Sequence, residues 1–308
     1  MSSIDLRLLR YFIAVAEEGH LTRAAERIGI QQPPLSQQIR HLEQELGVRL
    51  FNRLPRGMEL TDSGHALLTD ARAILAQLDT SIAGVRRIAQ GESGRLALGF
   101  TESAALHPFI AQVIRAFRAI APEVALSVEE SNTTELVDAL RQKKLDIAFI
   151  RSPVGNADGL VIETMLVEKM ILALPAGHPL ASIRSGKLRK SIPLAALAQE
   201  RFILNRRPSG PGLYDTIIAA CHVAGFSPNV VQEARKNLST LSLVAAGLGV
   251  SIVPASMRHV VLAEVVYLDL EDSADLSAPL YLAHLEGALS GAAQRMIDQA
   301  RQCCRDLT

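Results

Sequence analysis

Cysteine, net charge, long apolar runs and the signatures of catalysis are all scarce in this 308-residue chain. The three cysteines, Cys221, Cys303 and Cys304, make no C-x-x-C pair and no metal-like spacing with histidine. They read as thiols of a reducing compartment and exclude a disulfide framework. No apolar stretch reaches the roughly 20 residues that cross a bilayer. The early run LLRYFIAVA is cut short by Glu17 and Glu18 and has no small-residue cleavage pattern, so we expect a cytoplasmic protein with no membrane partner. Thirty-two basic and 32 acidic side chains cancel, so any attraction to nucleic acid must come from placement and not from bulk charge. There is no G-x-S-x-G elbow, no H-E-x-x-H and no P-loop, and Gly247-x-Gly249 stands before a strand, where glycines end a helix. His107, His178 and His284 have no sequence-near carboxylate or cysteine at a spacing that makes a ligand or triad case. An enzyme is not expected, nor is a cofactor or metal.

What is present is a filled globular composition, 48% hydrophobic, with one segment that organises the rest. In LTRAAERIGIQQPPLSQQIRHLEQELG, residues 21–47, Thr22 is the expected N-cap of a short helix. Ala24 and Ala25 are small enough for close packing there, and Gly29 lets the chain turn out. Pro33 and Pro34 suit the first turn of a second helix, where a missing N–H costs nothing. Leu35, Ile39, Leu42 and Leu46 then recur at helical spacing and predict one buried stripe. At about 100° per residue, Ser36, Gln37, Arg40 and Gln44 fall away from that stripe, a hydrogen-bonding face suited to a DNA major groove, with Gln32 at the helix entry. A solvated helical hairpin would share this pattern. Downstream, however, LFNRLPRGMELT predicts a two-stranded wing with Arg53 and Arg56 around its turn, and helix-turn-helix plus basic wing is far more specific. Every basic side chain in residues 1–94 is arginine, which suits forked contacts to bases and phosphates.

A supporting helix is expected over residues 5–18. From Thr61 a long one follows, in which Leu68, Ala71, Leu75, Leu78, Ile82, Val85 and Ala89 alternate steps of three and four as far as Gly91. Three heptads span roughly 40 Å, too long and one-sided for a small domain to cover, so a partner helix and dimerisation through Leu68, Leu75, Leu78, Ile82 and Val85 are expected. The alternative is packing on the second domain. GESG at 91–94 reads as a hinge. Beyond it, RLALGF, VALSVEE, LDIAFI, KMILALP, RFILN, NVVQEA, GVSIVPA, VVYLDL and PLYLAHL read as strands, with helices near 106–120, 134–143, 212–224, 238–246 and 288–305. That alternation predicts crossover units, a largely parallel sheet and two lobes with a ligand cleft between them. Thr101 and Ser103 follow one strand and Thr133 follows another, at the strand ends where open α/β sheets bind ligands.

The segment AAERIGIQQPPLSQQIRHLEQELGVRLFNR with LTDSG resembles the N-terminal domain of LysR-type transcriptional regulators. GFTES, LDIAFIR, HPLA and GLGVSIVPAS resemble that family's effector domain, similar in fold to periplasmic solute-binding proteins. VEKMILALPAGHPLA and LVAAGLGVSIVPAS look most like its aromatic-catabolism branch, which answers benzoate, muconate or chlorocatechol products. The resemblance implies a winged helix-turn-helix over 1–61, a linker helix over 62–90, the hinge, and an effector domain over 95–308. Lobe I would take about 95–165 and 270–308, and lobe II about 166–269. It further implies a cleft arginine at Arg151, a pocket lining of Pro211 and Leu213 with Arg206 or Arg207 adding charge, a tetramer of dimers, and RNA polymerase as a partner. The family commonly has arginine after the serine of its P-P-L-S segment. This chain has Gln37, so with Gln32, Pro33, Ser36, Arg40, Arg53 and Arg56 the DNA contacts would include a carboxamide. The expected function is a transcriptional regulator of double-stranded DNA, controlled by a small aromatic or dicarboxylic acid. A solute-binding or sensing protein without promoter-specific regulation is the alternative.

Overall fold

The computed structural model describes residues 4–55, 57–151, 154, 157–182, 189–206, 212–271 and 276–306. Two compact units divide at Arg86.

In the first, helices α1 (Leu6–Glu18), α2 (Leu21–Ile28) and α3 (Gln32–Leu46) precede a hairpin of β1 (Phe51–Leu54) and β2 (Gly57–Leu60). The long helix α4 (Asp62–Ala89) follows. Phe12, Val15, Ala24, Ala25, Leu35, Ile39, Leu42 and Phe51 fill the core, with Phe12 and Phe51 ring centroids 5.3 Å apart. The two alanines let α2 approach closely, as their size predicts. Leu46, expected in the buried stripe of α3, is instead exposed, because the helix outruns the core there. Nor does Thr22 cap α2: the His20 ring does, its Nδ1 accepting from the Thr22 amide at 3.2 Å. The hairpin is pinned to α1 by the Met58 amide donating to the Gly19 carbonyl at 2.8 Å. A Cβ on Gly57 would lie 2.6 Å from that same oxygen, so only glycine fits. Thr61 caps α4, accepting from the Gly64 amide at 3.0 Å. Leu67, Leu68 and Ala71 belong to this core, so Leu68 serves the winged unit. Farther on, Ile74, Ile82, Val85 and Ile88 are exposed along one stripe of a single chain.

The second unit holds β3 (Ser93–Phe100), α5 (Glu102–Ala105), α6 (Pro108–Ile120), β4 (Glu123–Glu130), α7 (Thr133–Arg141), β5 (Ile147–Ile150) and β6 (Leu160–Pro175). It continues with β7 (Ser191–Pro193), β8 (Arg201–Asn205), α8 (Leu213–Val223), β9 (Asn229–Ala234), α9 (Asn237–Ala245), β10 (Ser251–Pro254), β11 (Val265–Glu271), β12 (Ser277–Leu285) and α10 (Gly291–Arg305). The helix expected from 106 begins at Pro108. A residue before proline avoids the helical region, and His107 is extended with its Nδ1 accepting from the Phe109 amide at 3.1 Å.

The sheet is mixed where a largely parallel one was expected. β3 pairs in parallel with β4 and β5, but β12 runs antiparallel to both β5 and β6. The cause is β6, which runs 16 residues: up to Lys169 it pairs with β12, and from Met170 onward with β10 and β11. It crosses between two sheets, each with its own apolar core, so the chain must return through β12 in the opposite sense.

The hinge is docked against α10. Arg295 donates to the Gln90 carbonyl at 2.6 Å and pairs with Glu92. A Cβ on Gly291 would lie 2.3 Å from the Ala89 carbonyl oxygen and 2.5 Å from the Gly91 nitrogen, both backbone atoms that cannot swing aside. Gly291→Ala should therefore cost about 1–3 kcal/mol in chemical denaturation of the second unit. An unchanged midpoint and slope would show that the hinge is not held there.

Candidate functional site

Two sites emerge, one in each unit. In the first, the proline-led start of α3 fixes a face on which Pro33, Gln37, Arg40 and Gln44 are exposed and Gln32, Ser36 and Gln38 half-exposed. Arg53, on β1, is exposed, and neither it nor Arg40 has an ion pair among the described residues. Arg56 lies outside the described residues. Other arginines are spent internally. Arg27 and Arg72 converge on Glu17 at 2.8 and 2.7 Å, and their hydrogen bonds, Arg72 first, hold the Glu17 carboxyl below its usual value. Placement thus does what bulk charge cannot: acids are neutralised behind α1 and α4, while the leading turn of α3 carries no acid.

In the second unit a cavity of about 390 Å³ lies between the lobes, a size suited to a small ligand. From lobe I it is lined by Thr101, Glu102, Ser103, Asn132, Thr133 and Arg151, and from lobe II by Asn205, Arg206, Leu213, Tyr214 and Lys236 among others. Of the expected residues, Thr101, Ser103, Thr133, Arg151, Arg206 and Leu213 come together there, and Pro211 lies outside the described residues. The first residues of three helices of nine or more residues, α7, α8 and α9, line the cavity, so their N–H ends favour an anion.

Arg151, expected as a cleft arginine, does line the cavity, but its guanidinium is already engaged within the protein. It is buried at the cavity floor, Nη1 donating to the Ala278 carbonyl at 3.0 Å and Nη2 to the Ser103 carbonyl at 3.2 Å and to Glu168. Burial lowers its pKa, and the Glu168 carboxylate opposes that pull. Glu168 is itself completed by Ser256, whose amide and hydroxyl donate at 2.6 and 3.0 Å. The fork is used up. What remains is Nε, which with Thr101 Oγ1 is a buried side-chain atom without a hydrogen-bond partner among the described residues. Both residues line the cavity, and such groups persist where something else completes them.

Sequence reasoning missed Glu102, Glu130, Arg235, Lys236 and Asn237, which also line the cavity. Applying the strand-end rule to NVVQEA as well as to RLALGF would have found the last three. The link from Lys236 Nζ to Glu130 Oε1, 2.8 Å across 106 positions, leaves no local signal.

His107 carries a pH prediction. Half-buried near Arg151, Glu168 and His259, it titrates below its ordinary 6.5, burial outweighing the pull of Glu168. A histidine whose folded pKa is depressed contributes stability above the unfolded value and loses it as pH falls through that window. Between pH 7.5 and 5.5 the shifted carboxylates Glu17, Glu135 and Glu163 stay ionised, being held below 4.5. The second unit should melt at lower temperature at pH 5.5, and His107→Asn, which keeps a cap acceptor, should flatten that dependence. Identical pH profiles for the two proteins would remove His107 as the cause.

Comparison with known proteins places both units. Residues 6–65 match the bacterial regulatory helix-turn-helix protein of the lysR family, and residues 89–305 match the LysR substrate binding domain. The chain is 38% identical over 270 residues to the HTH-type transcriptional regulator BudR of Raoultella terrigena, covering 88% of this chain and 91% of that one. It is 33% identical over 281 residues to the HTH-type transcriptional regulator BenM of Acinetobacter baylyi, covering 91% and 90%. The crystal structure of CbnR, a LysR family transcriptional regulator, superposes over 97% of this chain and 100% of that one, with a TM-score of 0.80 at 29% identity.

Proposed function

The chain belongs to the LysR family of transcriptional regulators, and from that premise we propose that α3 reads an operator through Gln37 while the interlobe cavity answers a small carboxylate. The protein is a DNA-binding regulator with an effector-binding domain and no enzyme. The observation that carries the finer reading is the cavity itself, where hydroxyls, two cations without an ion pair among the described residues (Arg206 and Arg235) and three helix N-termini converge. An aromatic acid or diacid fits that chemistry and volume. CbnR has also been crystallised full length with its target DNA, which supports duplex DNA as the partner of α3. Gln32, Pro33, Ser36, Arg40, Arg53 and Arg56 would then hold backbone and base edges around Gln37.

The apolar stripe of α4, with Leu75 and Leu78 half-exposed and Ile82 and Val85 exposed, is the face on which two chains would pair, and effector domains would join dimers into a tetramer. The match to a DNA-binding regulator family supports work in the cytoplasm, with RNA polymerase as the partner such a regulator would meet at a promoter. The ligand acts by population shift. It favours whichever lobe arrangement binds it more tightly, and that preference is the whole of its leverage.

Two variants test the two halves separately. A carboxamide pairs with the N6 and N7 of adenine and a guanidinium with the O6 and N7 of guanine. Gln37→Arg should therefore exchange an adenine preference for guanine at one operator position, a discrimination of about 1–3 kcal/mol, in binding-site selection on both proteins. An unchanged preference at every position refutes the assignment of Gln37. Thr133→Ala should weaken calorimetric binding of benzoate or succinate by about tenfold while leaving operator affinity intact, since one lost hydrogen bond to a charged group is worth about 1.5–3 kcal/mol. Wild-type affinity for both acids places the effector elsewhere.

A further inference from the structure

Helix α9 is capped from the opposite lobe. Its N-cap residue, Lys236, offers no side-chain cap bond. Instead Glu102 of lobe I reaches across the cavity: its Oε2 accepts from the Asn237 amide at 2.8 Å and its Oε1 from the Leu238 amide at 3.3 Å. The other two helices whose first turns line the cavity are capped locally, α7 by Asn132 and α8 through Asp215 with the Gly212 amide. α9 is held firmly from below, because Asn205 donates to Asn237 at 2.6 Å and accepts from Thr240 at 2.8 Å. Its amides therefore point at a fixed place, and the group in that place is a carboxylate belonging to the protein.

We infer that Glu102 is a tethered occupant of the cavity's anion subsite, latching the lobes together until an effector carboxylate displaces it from the α9 N-terminus. This rests on the cavity being the effector site. Two amides that share one carboxylate cannot serve a second, and two carboxylates at one helix end repel. A second observation points to a ligand beside this point: Thr101 and Arg151, both lining residues more than nine-tenths buried, each keep a side-chain atom, Oγ1 and Nε, with no hydrogen-bond partner among the described residues. Thr101 adjoins Glu102 in sequence, so an anion that completes the hydroxyl lies within reach of the same helix end. Lys236 supports the latch a second way. Its ammonium pairs with Glu130 of lobe I, and that pairing, with Glu102 adding to it, raises its pKa above the usual lysine value. Among the described residues, displacing Glu102 thus leaves Lys236–Glu130 as the remaining tie between lobe I and the start of α9, so ligand exchange at the helix end becomes a change in how that end is joined to the opposite lobe.

The latch also sets affinity. A ligand that must wait for Glu102 to leave has its apparent affinity reduced by the fraction of molecules in which the helix end is free. Removing the tethered carboxylate should therefore tighten binding, the reverse of what loss of a ligand contact does. The test uses the full-length chain. In Glu102→Ala, hydrogen exchange at the start of α9 should be at least about tenfold faster than in wild type, and sodium formate should restore protection against a sodium chloride control at equal ionic strength. Formate should leave the wild type unchanged at that concentration. By calorimetry, Glu102→Gln should bind benzoate about fivefold more tightly than wild type and Glu102→Ala more tightly still. If formate restores nothing, or if benzoate binds the variants no more tightly while Thr133→Ala still weakens it, Glu102 is a mere structural cap and the inference falls while the cleft reading stands. If benzoate binding ignores both Thr133→Ala and the Glu102 variants, the cleft reading falls and this inference with it.

Discussion

One strand belongs to both lobes, and the second unit is built on that sharing. β6 is a member of one sheet up to Lys169 and of another from Met170, with no loop at the change. A one-residue slip would turn every side chain of the strand to the other face, and because one continuous strand pairs in both sheets, the register of each lobe fixes that of the other. The buried ion pair sits at this handover: Glu168 stands opposite Ala278, whose carbonyl takes one arm of Arg151. Breaking such a pair leaves an uncompensated charge at a cost of about 3–5 kcal/mol, which makes the joint a defined pivot and not a soft one. Ser256, from the turn after β10, completes Glu168 and brings lobe II to the same point.

Around that pivot the cavity arranges charge economically. Its buried cation is neutralised at home, whereas its exposed cations and helix ends line open space. Buried charge positions the walls, and partly solvated charge is left facing the cavity. The winged unit follows the same division: Glu17 absorbs two arginines at the back of the helices, while Arg40 and Arg53 stay out in solvent. Neutral composition and a specific charged face are compatible because sequence counts charges while folding sorts them.

Most elements were legible because their patterns are local. Helical spacing in α1, α3 and α4 and apolar runs in β3, β5 and β10 place themselves. Boundaries failed where chemistry overrode pattern. His20 displaced Thr22 as a cap because its ring reaches the free amide, and Pro108 set the start of α6 two residues later than the apolar pattern suggested. In the cavity, hydroxyls after strands were readable, since Thr101 and Thr133 obey a general rule of open sheets. The partners of Arg151 and Glu102 were not, because they arrive from β6 and α9, 17 and 135 positions away. Spacing cannot reveal that an arginine is already spent.

The docking of Gln90 against Arg295 reaches across 205 positions, which bears on how the protein is made as well as on how it works. At about 5–20 residues per second, the ribosome takes roughly 10–40 s to deliver the second half of that contact after the first. Through that interval the segment joining the two units lacks its seat on α10, and Arg87, which pairs with Glu123, is the earlier hold on the linker's last turn. The winged unit can fold from residues already synthesised, while the contacts of Gln90 and Glu92 with Arg295 wait for α10. The joint between linker and effector domain is therefore completed in two stages, a near contact first and a far one after it.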